Sequence, residues 1–262
     1  MALRRMVDAG FLLEEEQEEL ASADLGAVSP PAPRGAWMVD EAIEQVEAQL
    51  GEGAVLAQSL SVHTSIHPVL QRMAEDAVSE GLSQLEVDHP SSVGAQAALV
   101  AIRASDGAVL AMVGGRDSEQ VSFNRALSAR RHVGSTVKPL TAMVAFDEQP
   151  WLSPSSTFLD APIRRELGGG RAWMPENYDG KWEGQITLRE AVAGSRNIPA
   201  ILLAEEVGME RLAERWREMG LSGATSLPSA ALGAFEGSPL ELASAYGVVA
   251  TGGVFTAPVM IV

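Results

Sequence analysis

The chain has 262 residues, 46% hydrophobic and 21% charged, a globular composition long enough for one large or two ordinary domains. Its net charge of -16 leaves no basic stripe for nucleic acid or an anionic membrane surface. With no cysteine, and with His63, His67, His89 and His132 out of ligand spacing, disulfides and thiolate zinc sites are excluded and neither a metal nor a cofactor is expected.

In chain order, residues 2–25 read as two short helices, the first closed by Gly10 and the second acidic, LLEEEQEELASADL. The arginines near the start precede an apolar run of only four residues, too short for a signal peptide or a membrane span. VSPPAPRG, residues 28–35, disfavours helix and sheet and reads as a linker at a domain boundary. Val39, Ile43, Val46 and Leu50 then recur at helical spacing up to Gly51. LSVHTSI predicts a short strand, followed by a helix that Pro68 opens, and residues 36–95 together form a small connecting module.

From Ala97 two β-rich runs flank Ser105-Asp106-Gly107, a hairpin signal, and their apolar character on both faces predicts cover by helices. Val137, Leu140 and Val144 predict an amphipathic helix to about Asp147. Pro139 is tolerated only near that helix's start, which places Ser135 at or near the N-cap. TLRE (187–190) and SPLE (238–241) are capping boxes, Asn197 opens NIPAILLAEEVG, and MERLAERWREMG follows. The second half therefore reads as a cluster of helices.

Chemistry concentrates in RRHVGSTVKPL. Only two of the nineteen basic side chains are lysines, Lys138 and Lys181, and Lys138 follows Ser135 at i+3, one turn along one helical face. A serine at a helix N-terminus lies near free N–H groups that favour a developing oxyanion, and a lysine buried against Val137 could lose its charge and take the serine proton. A capping serine beside an exposed lysine has the same spacing. In GSRN, residues 194–197, a hydroxyl and an amide on a loop can relay a proton and hold a peptide carbonyl. Asn197 can equally cap the next helix, or do both.

GSTVKP followed by SRN resembles the SxxK and SxN motifs of the penicillin-binding proteins. VHTSIHPVLQ, AALVAIRASDGAVLAMVGG, SFNRALSARRHVGSTVKPL, WMPENYDGKWEGQITLREAVAGSRNIPA and ALGAFEGSPLELASAYGVVATGG are similar, in the same order, to segments of the bifunctional class A members. The resemblance implies an α/β transpeptidase fold of the penicillin-binding-protein and serine β-lactamase type over residues 96–262. Its antiparallel sheet would be incomplete, flanked by helices and preceded by the small helical module. Residues 1–35 would follow a glycosyltransferase domain.

The same resemblance implies that Ser135 is the acylated nucleophile, Lys138 its base, Ser195 the relay to the leaving amine and Asn197 a ligand for the substrate peptide. Peptidoglycan stem peptides would be donor and acceptor, β-lactams would mimic them, and the reaction would be D,D-transpeptidation or carboxypeptidation at the periplasmic face of the inner membrane. His67 stands where the family has aspartate, so a weaker N-cap is expected, by about 1 kcal/mol. No lysine follows Lys181, so the family's KTG strand would lie past Val262. Residues 1–262 are accordingly expected to be weakly active or inactive, with an uncovered sheet edge. Two alternatives stand beside this reading: a non-catalytic scaffold in cell-wall assembly and a serine β-lactamase.

Overall fold

The computed structural model describes residues 2–22, 34–57, 60–118 and 123–262, in two compact units, Met1–Pro33 and Arg34–Val262. Most of the expected linker, residues 28–33, lies outside the described residues, as do positions 23–25 of the second predicted helix. In the first unit α1 (Ala2–Asp8) stops at Gly10, whose φ of 75° suits glycine. Three glutamates open α2 (Glu14–Ser22), where the helix dipole favours negative charge.

The second unit begins with α3 (Ala36–Leu50), stopped by Gly51, and a single turn, α4 (Ala54–Ala57). The buried face of α3 is not the expected one: Trp37, Met38, Ala42 and Val46 face inward, while Val39, Ile43 and Leu50 are exposed. An indole and a methionine together bury more apolar area than the β-branched stripe, and they set the helix's rotation. LSVHTSI makes no strand; Thr64 forms one isolated bridge with Ile261, and Ser65 N–H donates to the Met260 carbonyl at 2.9 Å. Helix α5 (Pro68–Asp88) starts where Pro68 predicts, and His67 does cap it, its Nδ1 accepting from Leu70 N–H at 3.4 Å. A neutral imidazole offers a lone pair at that nitrogen, so the histidine supplies a long version of the aspartate bond.

The hairpin pairs β1 (Leu99–Ile102) with β2 (Val109–Val113) in antiparallel register, Leu99 opposite Val113. Its turn requires Gly107, at φ 74°, because a Cβ there would lie 2.1 Å from the Ala257 carbonyl oxygen. Helices α3 and α5 pack on β2. The outer edge of β2 is closed without a strand: Gln71 donates to the Met112 carbonyl at 2.9 Å and accepts its N–H at 2.8 Å, while Val259 bridges Ala108. The outer edge of β1 pairs with no strand among the described residues.

Beyond the hairpin come α6 (Arg125–Ser128), β3 (Arg131–His132), a 3-10 turn (Gly134–Val137) that runs directly into α7 (Lys138–Glu148), β4 (Thr157–Asp160), β5 (Arg165–Gly168) and β6 (Arg171–Trp173). These are followed by β7 (Gly184–Thr187), α8 (Leu188–Ala193), α9 (Asn197–Val207), α10 (Met209–Glu218), β8 (Glu236–Gly237) and α11 (Pro239–Ala250). The expected helical cluster is thus interrupted by the antiparallel pairs β3–β8, β4–β7 and β5–β6. Three consecutive glycines, Gly168 to Gly170, all at positive φ, turn the β5–β6 hairpin. Both capping boxes form, on α8 and α11. Leu140 and Val144 of α7 are fully buried in a core with Ile201, Leu212, Trp216 and Phe235, so the helix carrying Lys138 is held by packing on several neighbours.

Candidate active site

Ser135 lies near the N-cap of α7, as expected, two residues before the cap itself, Val137. It is the second residue of the 3-10 turn, and Lys138 N–H donates to its carbonyl. That turn is set by close backbone contact: Gly134, at φ 56°, donates its N–H to the Gly233 carbonyl at 3.0 Å. A Cβ on Gly233 would lie 2.1 Å from the Gly134 oxygen. Thr136 Oγ1 donates to the Val133 carbonyl at 2.5 Å, and Tyr246 of α11 donates its hydroxyl to the Thr136 carbonyl at 2.7 Å. Burial holds the Tyr246 phenol above its usual pKa, which keeps it a donor. Ser135 itself is exposed within this braced turn.

One turn further in, Lys138 is only 2% exposed. Its Nζ donates to the Ser195 carbonyl at 2.6 Å, to Asn197 Oδ1 at 2.6 Å and to Ser195 Oγ at 3.2 Å. Three of the four sequence-nominated residues therefore meet at one ammonium group, and Ser135 stands at the turn that leads into it. Desolvation first, and then the nearby Arg196 cation, push the Lys138 pKa down to about 8. The three bonds use all three protons of the charged form. Loss of one proton would free the longest contact, where the Ser195 hydroxyl could then donate to Nζ, and this gives a path for a proton between the two side chains.

Asn197 does not cap α9, as one reading of the sequence allowed: the helix has no side-chain cap, and Asn197 is its first residue. Its Oδ1 faces Lys138 instead, and its Nδ2 donates to the Glu176 carbonyl at 2.7 Å. Ser195 sits in the break between α8 and α9 at φ 50°, the one described non-glycine residue with positive φ. That conformation costs roughly 1–2 kcal/mol and persists only when its surroundings impose it.

What surrounds it escaped the sequence reading. Arg196, 6% exposed, donates through Nε to the fully buried Asp160 at 2.9 Å, forms an ion pair with Asp179 at 3.1 Å, and donates to the Lys181 carbonyl. Asn177 donates to Asp160 at 2.7 Å and accepts the Asn197 N–H at 2.7 Å. The signal was present in ENYDGKW: an Asn and an Asp two residues apart, on a loop between short strands, are candidates for holding a neighbouring backbone. What no pattern indicated was that Asp160 on β4 lies beneath them.

Residues 97–262 match the family model described as the penicillin-binding protein transpeptidase domain. The chain belongs to this family. It is 29% identical over 259 residues to penicillin-binding protein 1B of Escherichia coli, covering 95% of this chain and 30% of that protein. It is 40% identical over 163 residues to penicillin-binding protein 1A of Neisseria meningitidis, covering 60% and 20%. The fold is similar to that of penicillin-binding protein 1A from Haemophilus influenzae, with a TM-score of 0.80 at 22% identity over 99% of this chain and 52% of the other. It is also similar to PonA1 of Mycobacterium tuberculosis in complex with penicillin V, with a TM-score of 0.72 at 21% identity over 87% and 61%. The chain spans a third or less of the length of the curated relatives it matches. Among the penicillin-binding-protein motifs, SxxK lies on the 3-10 turn and first residue of α7, and SxN spans the break between α8 and α9.

Proposed function

We propose that this chain carries the acylation site of a peptidoglycan D,D-transpeptidase, with Ser135 as nucleophile, Lys138 as base, Ser195 as relay and Asn197 as a ligand for the stem peptide. The observation that carries the reading is the buried Lys138 ammonium bonded to both Ser195 and Asn197, with its pKa held near 8, one turn after an exposed serine. A lysine at its ordinary value would be charged and useless as a base near neutrality; one near 8 is neutral in a tenth or so of molecules at pH 7.

In the first half-reaction Ser135 Oγ gives its proton to neutral Lys138 and bonds to the donor peptide's carbonyl carbon. The C–N bond then breaks, and the leaving amine takes the proton back from Lys138 through Ser195. The Ser135 ester that remains is attacked by an acceptor stem-peptide amine, giving a crosslink, or by water, giving carboxypeptidation; in either case the ester C–O bond breaks and the attacker's proton passes through Lys138 to Ser135 Oγ. A β-lactam would acylate Ser135 by the same first step. In this reading residues 96–262 are the transpeptidase portion, 36–95 a connecting module and 1–35 the segment after a glycosyltransferase domain, all acting on the periplasmic side of the membrane.

The test is prolonged incubation of the chain with a fluorescent penicillin, followed by peptide mass spectrometry. A slow, saturable adduct on Ser135 that disappears in Ser135→Ala is expected. An adduct that forms elsewhere or that survives Ser135→Ala would overturn the assignment.

A further inference from the structure

We propose that Arg196 is the positioning residue of this site: clamped between Asp160 and Asp179, it fixes Ser195 in its left-handed conformation and holds a permanent positive charge beside Lys138. The inference rests on the reading of Lys138 as base, and it adds a residue and a device to that reading.

The geometry carries it. Three successive residues, the last two of the break and the first of α9, are held from two directions: Ser195 and Asn197 by Lys138, and Arg196 by the segment 160–183. Asp160 is fully buried and also accepts from Asn177 and, at 3.1 Å, from the Glu183 N–H, so its carboxylate cannot swing away from the guanidinium. Arginine alone among cations presents a planar fork that reaches Asp160 through Nε and Asp179 through Nη1 together. With the side chain pinned, the backbone on either side has little freedom, and Ser195 remains at φ 50° although free serine would leave that region.

Charge is the second contribution. The charges facing Arg196 are Asp160 from β4, and Asp179 and Glu183 from the loop that follows β6. The charge that acts on Lys138 is Arg196, which adds to the effect of burial and favours the neutral amine.

The protein has only two lysines, so lysine-selective isotope labelling yields two side-chain signals, and Lys181→Arg identifies which is Lys138. In the wild type Lys138 should titrate near 8. Arg196→Met should move that titration toward the ordinary lysine value, shift the rising limb of Ser135 acylation to higher pH by the same interval, and slow acylation at pH 7 roughly tenfold for each pH unit moved. Arg196→Lys keeps the cation without the fork, and its added lysine is the one signal absent from the wild type: the Lys138 titration should stay near that of the wild type while acylation slows several-fold. A folded Arg196→Lys protein that acylates at the wild-type rate would overturn the positioning role, whether or not Arg196→Met folds. An unmoved Lys138 titration in folded Arg196→Met would overturn the charge role. If the adduct forms on another residue or survives Ser135→Ala, the functional reading fails, and the two titrations still decide whether Arg196 acts on Lys138.

Discussion

Lys138 Nζ and Asn197 Oδ1 lie 2.6 Å apart, a contact that joins the first residue of α7 to the first residue of α9. Both helix starts are thereby tied to a single proton-carrying group. Lys138→Ala should reduce penicillin acylation of Ser135 by about 100-fold or more, the range expected when a general base is removed. Circular dichroism should remain that of the folded protein, because α7 is anchored by Leu140 and Val144. Undiminished labelling would show that another group takes the proton.

The pH dependence follows from the direction of the Lys138 shift. Its folded pKa, about 8, lies below the 10.5 of an unperturbed lysine, so between those values the unfolded chain binds the extra proton. Stability should therefore rise with pH across that window, by on the order of 3 kcal/mol if the shift is fully expressed. Acylation should rise as pH passes through about 8. Denaturation midpoints measured from pH 7 to 10 should lose this rise in Lys138→Met.

Gly233→Ala tests the serine turn. The new methyl would lie 2.1 Å from the Gly134 oxygen and 2.4 Å from its nitrogen, at a φ of 74°. A loss of about 2–4 kcal/mol is expected from clash and backbone strain together. The protein that remains folded should acylate more slowly, since the displaced atoms belong to the residue before Ser135. A melting curve and a labelling time course on the same sample separate the two effects.

Gln71→Ala removes both partners of Met112's backbone from the outer edge of β2. Two buried backbone groups left unpaired should destabilise the fold by about 2–4 kcal/mol, far beyond the usual effect of a helix Gln→Ala change. Urea denaturation would read it directly.

Among the described residues the outer edge of β1 pairs with no strand, and this predicts self-association. A strand edge that no neighbouring strand covers is a template for another chain, so light scattering should show concentration-dependent oligomers. A monomer at every concentration would mean that the edge is protected in some other way.

The SxxK spacing, the hairpin with its Asp-Gly turn, the two capping boxes and the proline that opens α5 were all legible in the sequence. Each depends on residues within a few positions of one another, where local backbone chemistry decides. The spacing left Lys138 either buried with a lowered pKa or exposed beside a capping serine, and packing against distant residues decided for burial. Other features were decided by partners distant in the chain. Val39 and Ile43 matched a helical stripe but lost the interior to Trp37 and Met38, because the rotation of α3 depends on what it packs against. Asn197 had the composition of a cap and became a ligand of Lys138, 59 positions away, and Arg196 found Asp160, 36 positions away. Local sequence set which groups can react and the helical turn that spaces them. Tertiary structure decided which of them share one desolvated place, because burial and ion pairing depend on the three-dimensional neighbours that no local pattern encodes.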